Sequence, residues 1–183
     1  NILITAIPAG IIGYVLADFI SATPFFGSVF VVMVTLATVG IVMVILERLP
    51  KASAVGSGEA LSPLRALVIG LAQVFALIPG VSRSGSTIIA GRLAGLNPAA
   101  AAEYSFLASL PIMVGVTLKI LVSDRDYLMA NMTPLIIGNI AAFLAGIFAI
   151  GFLMKYLSKH SLALFGWYRI GLAAVLALVL LLQ

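Results

Sequence analysis

The sequence predicts an all-α fold, a polytopic membrane helical bundle with a re-entrant helix-loop-helix hairpin that forms half of an inverted repeat. Three observations carry that expectation. Of 183 residues, 63% are hydrophobic and 9% charged, with a mean hydropathy of +1.25, whereas soluble domains carry about 25% charged residues. Apolar runs close to the length of a membrane span recur along the whole chain, which is too much apolar surface for a water-soluble core and too apolar a composition for disorder. One of these runs is cut short by Pro79-Gly80, so that it reads as two half-length pieces around a polar tip. The ten Lys+Arg outnumber six Asp+Glu, but they are scattered, leave no footprint for nucleic acid, and serve as topology signals. With no cysteine and one histidine, disulfides, Cys nucleophiles and Cys/His zinc centres are excluded. Any metal must be held by oxygens.

Residues 1–183 read as one integral membrane domain. The first apolar stretch, residues 2–20, is a short span containing Pro8, Gly10 and Gly13, which membrane helices tolerate where neighbours re-satisfy the backbone. Residues 29–46 are eighteen positions without a charge and predict a transmembrane helix. Residues 47–63, ERLPKASAVGSGEALSP, form the most polar segment and predict a solvent loop. The re-entrant hairpin follows over about 64–96. Its first arm, 64–77, is too short to cross about 30 Å of hydrocarbon at 1.5 Å per residue, and its second is expected from about Thr87 to Leu96. Non-helical backbone at membrane depth is tolerated only beside protein or a watery cavity, and such broken helices mark binding sites. Asn97-Pro98 starts the next helix, with Pro at the favoured first position, over 99–121. A polar loop is expected over 123–134, and spans over 135–152 and 162–182 complete a count of five spans plus the hairpin. Placing the 47–63 loop in the cytoplasm puts Arg48, Lys51, Arg65, Arg92, Lys155 and Lys159 inside and only Lys119 and Arg125 outside, which agrees with the positive-inside rule.

The tip reads Pro79-Gly80-Val81-Ser82-Arg83-Ser84-Gly85-Ser86-Thr87, with four hydroxyls, an arginine and two glycines in nine residues. Each feature suits an anion. Gly80 and Gly85 let the backbone approach a ligand, a helix starting near Ser86 or Thr87 points free N–H groups at the tip, and Arg83 offers a planar fork for phosphate oxygens. The spacing from Gly80 to Thr87 is close to a nucleotide P-loop, but Ser86 stands where that loop needs Lys. Ser82-Arg83 also matches the Ser-Arg start of the acid-phosphatase lipid hydrolases, yet Ile89 occupies the position where they need His. Both readings are rejected.

The run PGVSRSGST, together with upstream Gln73 and downstream AAEYSFLASLP, resembles the second conserved region of the undecaprenyl-diphosphate phosphatases, bacterial membrane enzymes associated with bacitracin resistance. The similarity runs from about Ile7-Pro8 to Tyr168-Arg169. By direct match to the family motif, the resemblance implies catalytic roles for Ser82, Arg83 and Thr87, and it sets Gly80, Ser84, Gly85, Ser86 and Gln73 around the substrate. It further implies hydrolysis of an isoprenoid diphosphate lipid at the outer, periplasmic side of the bacterial cytoplasmic (inner) membrane, recycling the lipid carrier for cell-wall synthesis. A divalent cation, Mg or Ca, is implied as cofactor. The family also carries an N-terminal acidic motif and a Ser/His tip that no part of residues 1–183 matches, so the metal ligands are expected before Asn1. No metal ligand is assigned within the chain. Beside the substrate, the expected partners are membrane lipids and, among proteins, a second copy in a homodimer.

Several residues have simpler roles to weigh against these. Arg83 as a cap on the carbonyls of the hairpin tip is the structural alternative, although a charge at membrane depth costs about 2.5 to 3.5 kcal/mol and is functional by default. Ser84 and Ser86 suit local capping, and Gln73 an interhelical hydrogen bond. Glu103 is expected to pair with Arg169 or with Arg92, and holding Arg83 is its sharper alternative role. His160 reads as a solvated interfacial residue, and Trp167 and Tyr168 as part of an aromatic belt. A secondary transporter of an anionic or lipid-phosphate substrate would use the same broken helix and buried arginine, and turnover separates the two. A purely structural subunit is the third reading, disfavoured by the concentration of polar groups at the tip.

Overall fold

The computed structural model describes residues 1–48 and 58–182. Among the described residues the secondary structure is helical throughout: α1 (Ile2–Val15), α2 (Ala17–Ala22), α3 (Pro24–Gly27), α4 (Val29–Arg48), α5 (Pro63–Val74), α6 (Arg83–Leu93), α7 (Pro98–Ser123), α8 (Arg125–Ala130), α9 (Met132–Leu157) and α10 (Ala163–Leu181), with 3₁₀ turns at Gly58–Ala60 and Phe75–Leu77. Four of these, α4, α7, α9 and α10, are long and apolar enough to cross a membrane, which makes this a multi-pass membrane protein.

The first apolar stretch differs from expectation. Its helix ends at Val15, and two short helices, α2 and α3, take up the remainder of the predicted 2–20 stretch and the residues after it. Helix α4 continues through Glu47 and Arg48, two residues that composition assigns to the polar loop. Apolar neighbours and packing on α10 carry the helix past the point where composition turns polar. Most of that predicted loop, residues 49–57, lies outside the described residues. The expected loop at 123–134 holds the short helix α8, and α9 begins at Met132.

Helix α7 starts as predicted, because Asn97 accepts a hydrogen bond from Ala100 N at 2.8 Å and Pro98 follows it. Helices α5 and α6, joined by a turn, form a helix-turn-helix whose arms of twelve and eleven residues are each shorter than the bilayer core. Ser62 caps the first arm through Arg65 N.

Two close crossings hold the bundle. Thr5 on α1 donates or accepts at 2.7 Å from Tyr104 Oη on α7 and lies 2.8 Å from Ala66 O on α5, tying three helices at one buried hydroxyl. On the other side, α4 and α10 cross at Gly40 and Gly166, where a Cβ on either would come within 2.8 Å of the other's carbonyl oxygen. Small residues at membrane helix crossings permit such approach. The core lies between, around Ile69, Ile88, Leu96, Tyr104, Leu157 and Leu162. Helix α9 buries only Leu157, and its bulky side chains, Phe148 among them at 77% exposure, face outward as lipid-facing residues do.

Candidate functional site

The turn between α5 and α6 is shaped by three local features. Gly80 takes φ +84, open to glycine without strain, and it sits so close to Thr35 on α4 that a Cβ would collide with the Thr35 hydroxyl. Thr35 Oγ1 in turn lies 2.6 Å from Pro79 O, pinning the turn to α4. Ser82 holds φ +69, the only described non-glycine residue with positive φ, a conformation that costs about 1 to 3 kcal/mol and gathers at functional sites. Its hydroxyl accepts from Gly85 N at 3.1 Å and so caps α6.

That cap corrects the expected helix start. The second arm begins at Arg83 rather than near Ser86 or Thr87, because Ser82 supplies the capping oxygen one turn earlier. Ser86 and Thr87 therefore sit inside the first turns, where their hydroxyls bond back to Arg83 O at 2.9 and 3.0 Å. Thr87 Oγ1 also lies 2.6 Å from Ser105 Oγ on α7. Ser84 keeps only a 3.4 Å contact with Ser82 Oγ. With Gly85 N held by Ser82, the amides of Arg83 and Ser84 are left at the open helix end, where the dipole favours an anion.

The charges divide their roles in a way the sequence does not indicate. Arg169 on α10 reaches the tip and donates through Nη2 to Gly80 O and, at 3.2 Å, to Val81 O. Capping the tip carbonyls, the structural alternative for Arg83, is thus done by Arg169. Arg83 keeps Nη1 buried with no hydrogen-bond partner among the described residues, as do Arg169 at Nε and Gln73 at Nε2 near the tip and Arg92 at Nε and Glu47 at Oε2 at the base. Gln73 is 2% exposed on α5. Buried donors without partners are costly and call for a ligand.

The expected ion pairs of Glu103 are overturned. Glu103 is exposed, Arg169 is committed to the tip, and Arg92 sits with Nε 3.9 Å from Glu47 Oε1, the two side chains 6% and 5% exposed. Arg92 Nη1 also donates to Leu96 O at 2.9 Å, and Glu47 Oε1 accepts from Leu162 N at 3.3 Å. Composition hides this partner by making Glu47 look like a loop residue. Thr35, Ser105 and Arg169 are tip contacts to which the sequence assigns no role, although Ser105 lies in the run AAEYSFLASLP and an arginine in an otherwise apolar run is a signal for the last. His160 is exposed and stacks on Tyr156, ring centroids 4.4 Å apart.

Ser82, Ser84, Gly85 and Arg169 line one end of a cavity of about 390 Å³ between α4, α6, α9 and α10. The tip offers hydroxyls, amides and two guanidinium groups, a donor set for an oxyanion. It does not fit a divalent cation, which needs several anionic or carbonyl oxygens free of neighbouring positive charge. Among the described residues no three His, Asp or Glu side chains gather as a metal site.

Comparison with known proteins gives a consistent picture. Residues 1–175 match the family model of the bacitracin resistance protein BacA. The undecaprenyl-diphosphatase of Parvibaculum lavamentivorans is 40% identical over 173 residues, covering 92% of this chain and 63% of its own length. That of Enterococcus faecalis is 37% identical over 98% of this chain and 65% of its own, and undecaprenyl-diphosphatase 3 of Acinetobacter baylyi is 35% identical over 99% and 68%. The chain thus spans about two thirds of the length of the curated relatives it matches.

Proposed function

Because the chain belongs to the bacitracin resistance protein BacA family, we propose that it carries the diphosphate-binding tip of an enzyme hydrolysing undecaprenyl diphosphate. Water adds across the terminal P–O–P bond, giving undecaprenyl phosphate and inorganic phosphate and returning the lipid carrier to cell-wall synthesis. The observation that carries the reading is the division of labour between two arginines. Arg169 satisfies the carbonyls of Gly80 and Val81, which leaves the buried Nη1 of Arg83 free for an external acceptor.

In this reading Arg83 lays its fork along the phosphate oxygens and stabilises the charge that spreads over them as the bond breaks. The Arg83 and Ser84 amides add dipolar stabilisation at the helix end. Ser82, held at a strained dihedral, keeps the helix end open toward the cavity, while Thr87 anchors α6 to α7 through Ser105 and so sets the height of Arg83. Gly80 and Gly85 allow backbone and lipid headgroup to approach. Gln73 orients the tip from the first arm. A divalent cation, Mg²⁺ or Ca²⁺, is part of the proposal as a cofactor, with its ligands outside residues 1–183, since the cationic tip does not suit it.

The helix-turn-helix is read as re-entrant from the cytoplasmic side of the inner membrane, with the tip facing the outer side. Cysteines at Ala60 and Asn131 in this cysteine-free chain should then label from opposite faces, since one returning hairpin and one span separate them. Labelling from the same face would defeat the re-entrant geometry. For the activity, the full-length protein should release phosphate from undecaprenyl diphosphate, and Arg83→Ala should lower turnover about 10²-fold or more without a matching loss of thermal stability in detergent. Binding without phosphate release would favour a carrier, and full activity in a folded Arg83→Ala variant would remove the tip from the active site.

A further inference from the structure

The cavity beside the tip is polar at one end only. Beyond Ser82, Ser84 and Arg169, its walls are apolar, contributed by Leu36 and Met43 of α4, Ile88 of α6, Leu153 and Leu157 of α9, and Phe165 and Leu172 of α10. Leu36 and Met43 are seven positions apart on one helix, as are Phe165 and Leu172 on another, so the cavity follows these helices for about 10 Å at 1.5 Å per residue. Its far end is the turn between α9 and α10, where Leu157 and Leu162 are 3% and 2% exposed and Glu47 and Arg92 close the bundle behind Leu162. A cationic and hydroxylic end leading into a half-open apolar cleft is complementary to an amphiphile with an anionic head and a hydrocarbon tail.

Resting on the phosphatase reading above, we infer that this cleft is the subsite for the isoprenoid segment that adjoins the diphosphate. At about 390 Å³ it is at the low end of small-molecule sites, which run to about 1,000 Å³. It therefore takes the first units of the chain while the remainder lies in the bilayer. The geometry also orders the lipid: the head meets Ser82, Ser84 and Arg169 at the helix end of α6, and the tail runs along α6 toward the α9–α10 turn. Leu153 lies one helical turn before Leu157 on the apolar wall contributed by α9, and so its size limits the length of tail that fits.

The test uses the full-length protein in detergent with two substrates that share a head and differ in tail, farnesyl diphosphate and dimethylallyl diphosphate. Leu153→Trp narrows the apolar part of the cleft and should lower kcat/KM for farnesyl diphosphate about 10-fold or more, the scale on which apolar pockets discriminate by size. The value for dimethylallyl diphosphate, whose tail ends short of the obstruction, should stay within about twofold. Leu153→Phe should give a smaller change of the same kind, and it replaces the Trp variant if that one does not fold. Phe148→Trp, on the exposed side of the same helix, should change neither. If both substrates lose equally, or neither loses, the subsite is elsewhere although the enzyme is a phosphatase. If the unsubstituted protein releases phosphate from neither, the phosphatase reading fails and takes the subsite with it.

Discussion

Helix α6 carries an arginine near each end, nine positions apart, in opposite circumstances. Arg92 at the base sits against Glu47 at 3.9 Å and donates to Leu96 O. Arg83 at the tip has Nη1 buried without a partner among the described residues, although Arg169 reaches the same turn from α10 and takes the nearby carbonyls. Both arginines bury charged nitrogen in an apolar bundle, where an uncompensated charge is costly. The base sets an opposite charge beside its arginine, although Arg92 Nε and Glu47 Oε2 make no hydrogen bond, and the tip sets none. A buried cation with an internal partner stabilises the fold, whereas one deprived of partners by a second cation is held for something that arrives later. The same short helix thus has a structural end and a ligand-facing end.

The comparison breaks most visibly if the base proves dispensable. Glu47→Ala leaves Arg92 as an uncompensated buried charge, and removing one partner of such a pair costs about 3 to 5 kcal/mol. A large drop in melting temperature in detergent is expected, with partial recovery in the double variant Glu47→Leu/Arg92→Leu, which removes both charges. Equal stability of Glu47→Ala and the unsubstituted protein would show that the pair contributes nothing.

The tip should respond in the opposite sense. Beyond the activity loss of Arg83→Ala, its melting should rise or hold steady, because removing an unpartnered buried charge relieves a cost. Arg83→Lys should recover only part of the turnover, since it keeps charge but loses the fork. A fall in melting as large as that of Glu47→Ala would make Arg83 a structural residue like Arg92 and erase the distinction.

A smaller effect sharpens where the tip is anchored. Thr35→Val removes the hydroxyl 2.6 Å from Pro79 O and should cost about 1 kcal/mol, with turnover falling less than for Arg83→Ala. The smallest change is expected for Ser84→Ala, whose hydroxyl makes one 3.4 Å contact; melting within about 0.5 kcal/mol of the unsubstituted protein and nearly full phosphate release would confirm that this side chain is peripheral. Strong inactivation would move it into direct contact with phosphate.

Much of the architecture is legible in the residues themselves. Composition alone implies spans, because 63% hydrophobic residues leave no other stable environment. Asn97-Pro98 places a helix start to within one residue, since the capping hydrogen bond and the proline ring act locally. The short arm before Pro79-Gly80 is likewise visible. The helix start at Arg83 is not, because Ser82, Ser84, Ser86 and Thr87 are all able to cap and the choice falls to Ser82 with its unusual φ. The first stretch reads as one helix over 2–20, whereas its helix ends at Val15, since apolar length can be counted but the break after Val15 depends on packing.

By itself, then, the sequence determined that the chain is a helical membrane bundle, that its polar chemistry gathers at 79–87, and which residue types meet there, all properties of composition or of spacing within a few positions. Tertiary structure alone decided which arginine is free. Arg169 reaches Gly80 across 89 positions, Glu47 reaches Leu162 across 115, and Thr87 finds Ser105 on another helix. Buried charges are governed by whatever lies within a few ångströms. In a bundle those neighbours come from distant parts of the chain, so the local pattern sets Arg83 at the tip but does not reveal that Arg169 takes the tip carbonyls or that Arg92 meets Glu47.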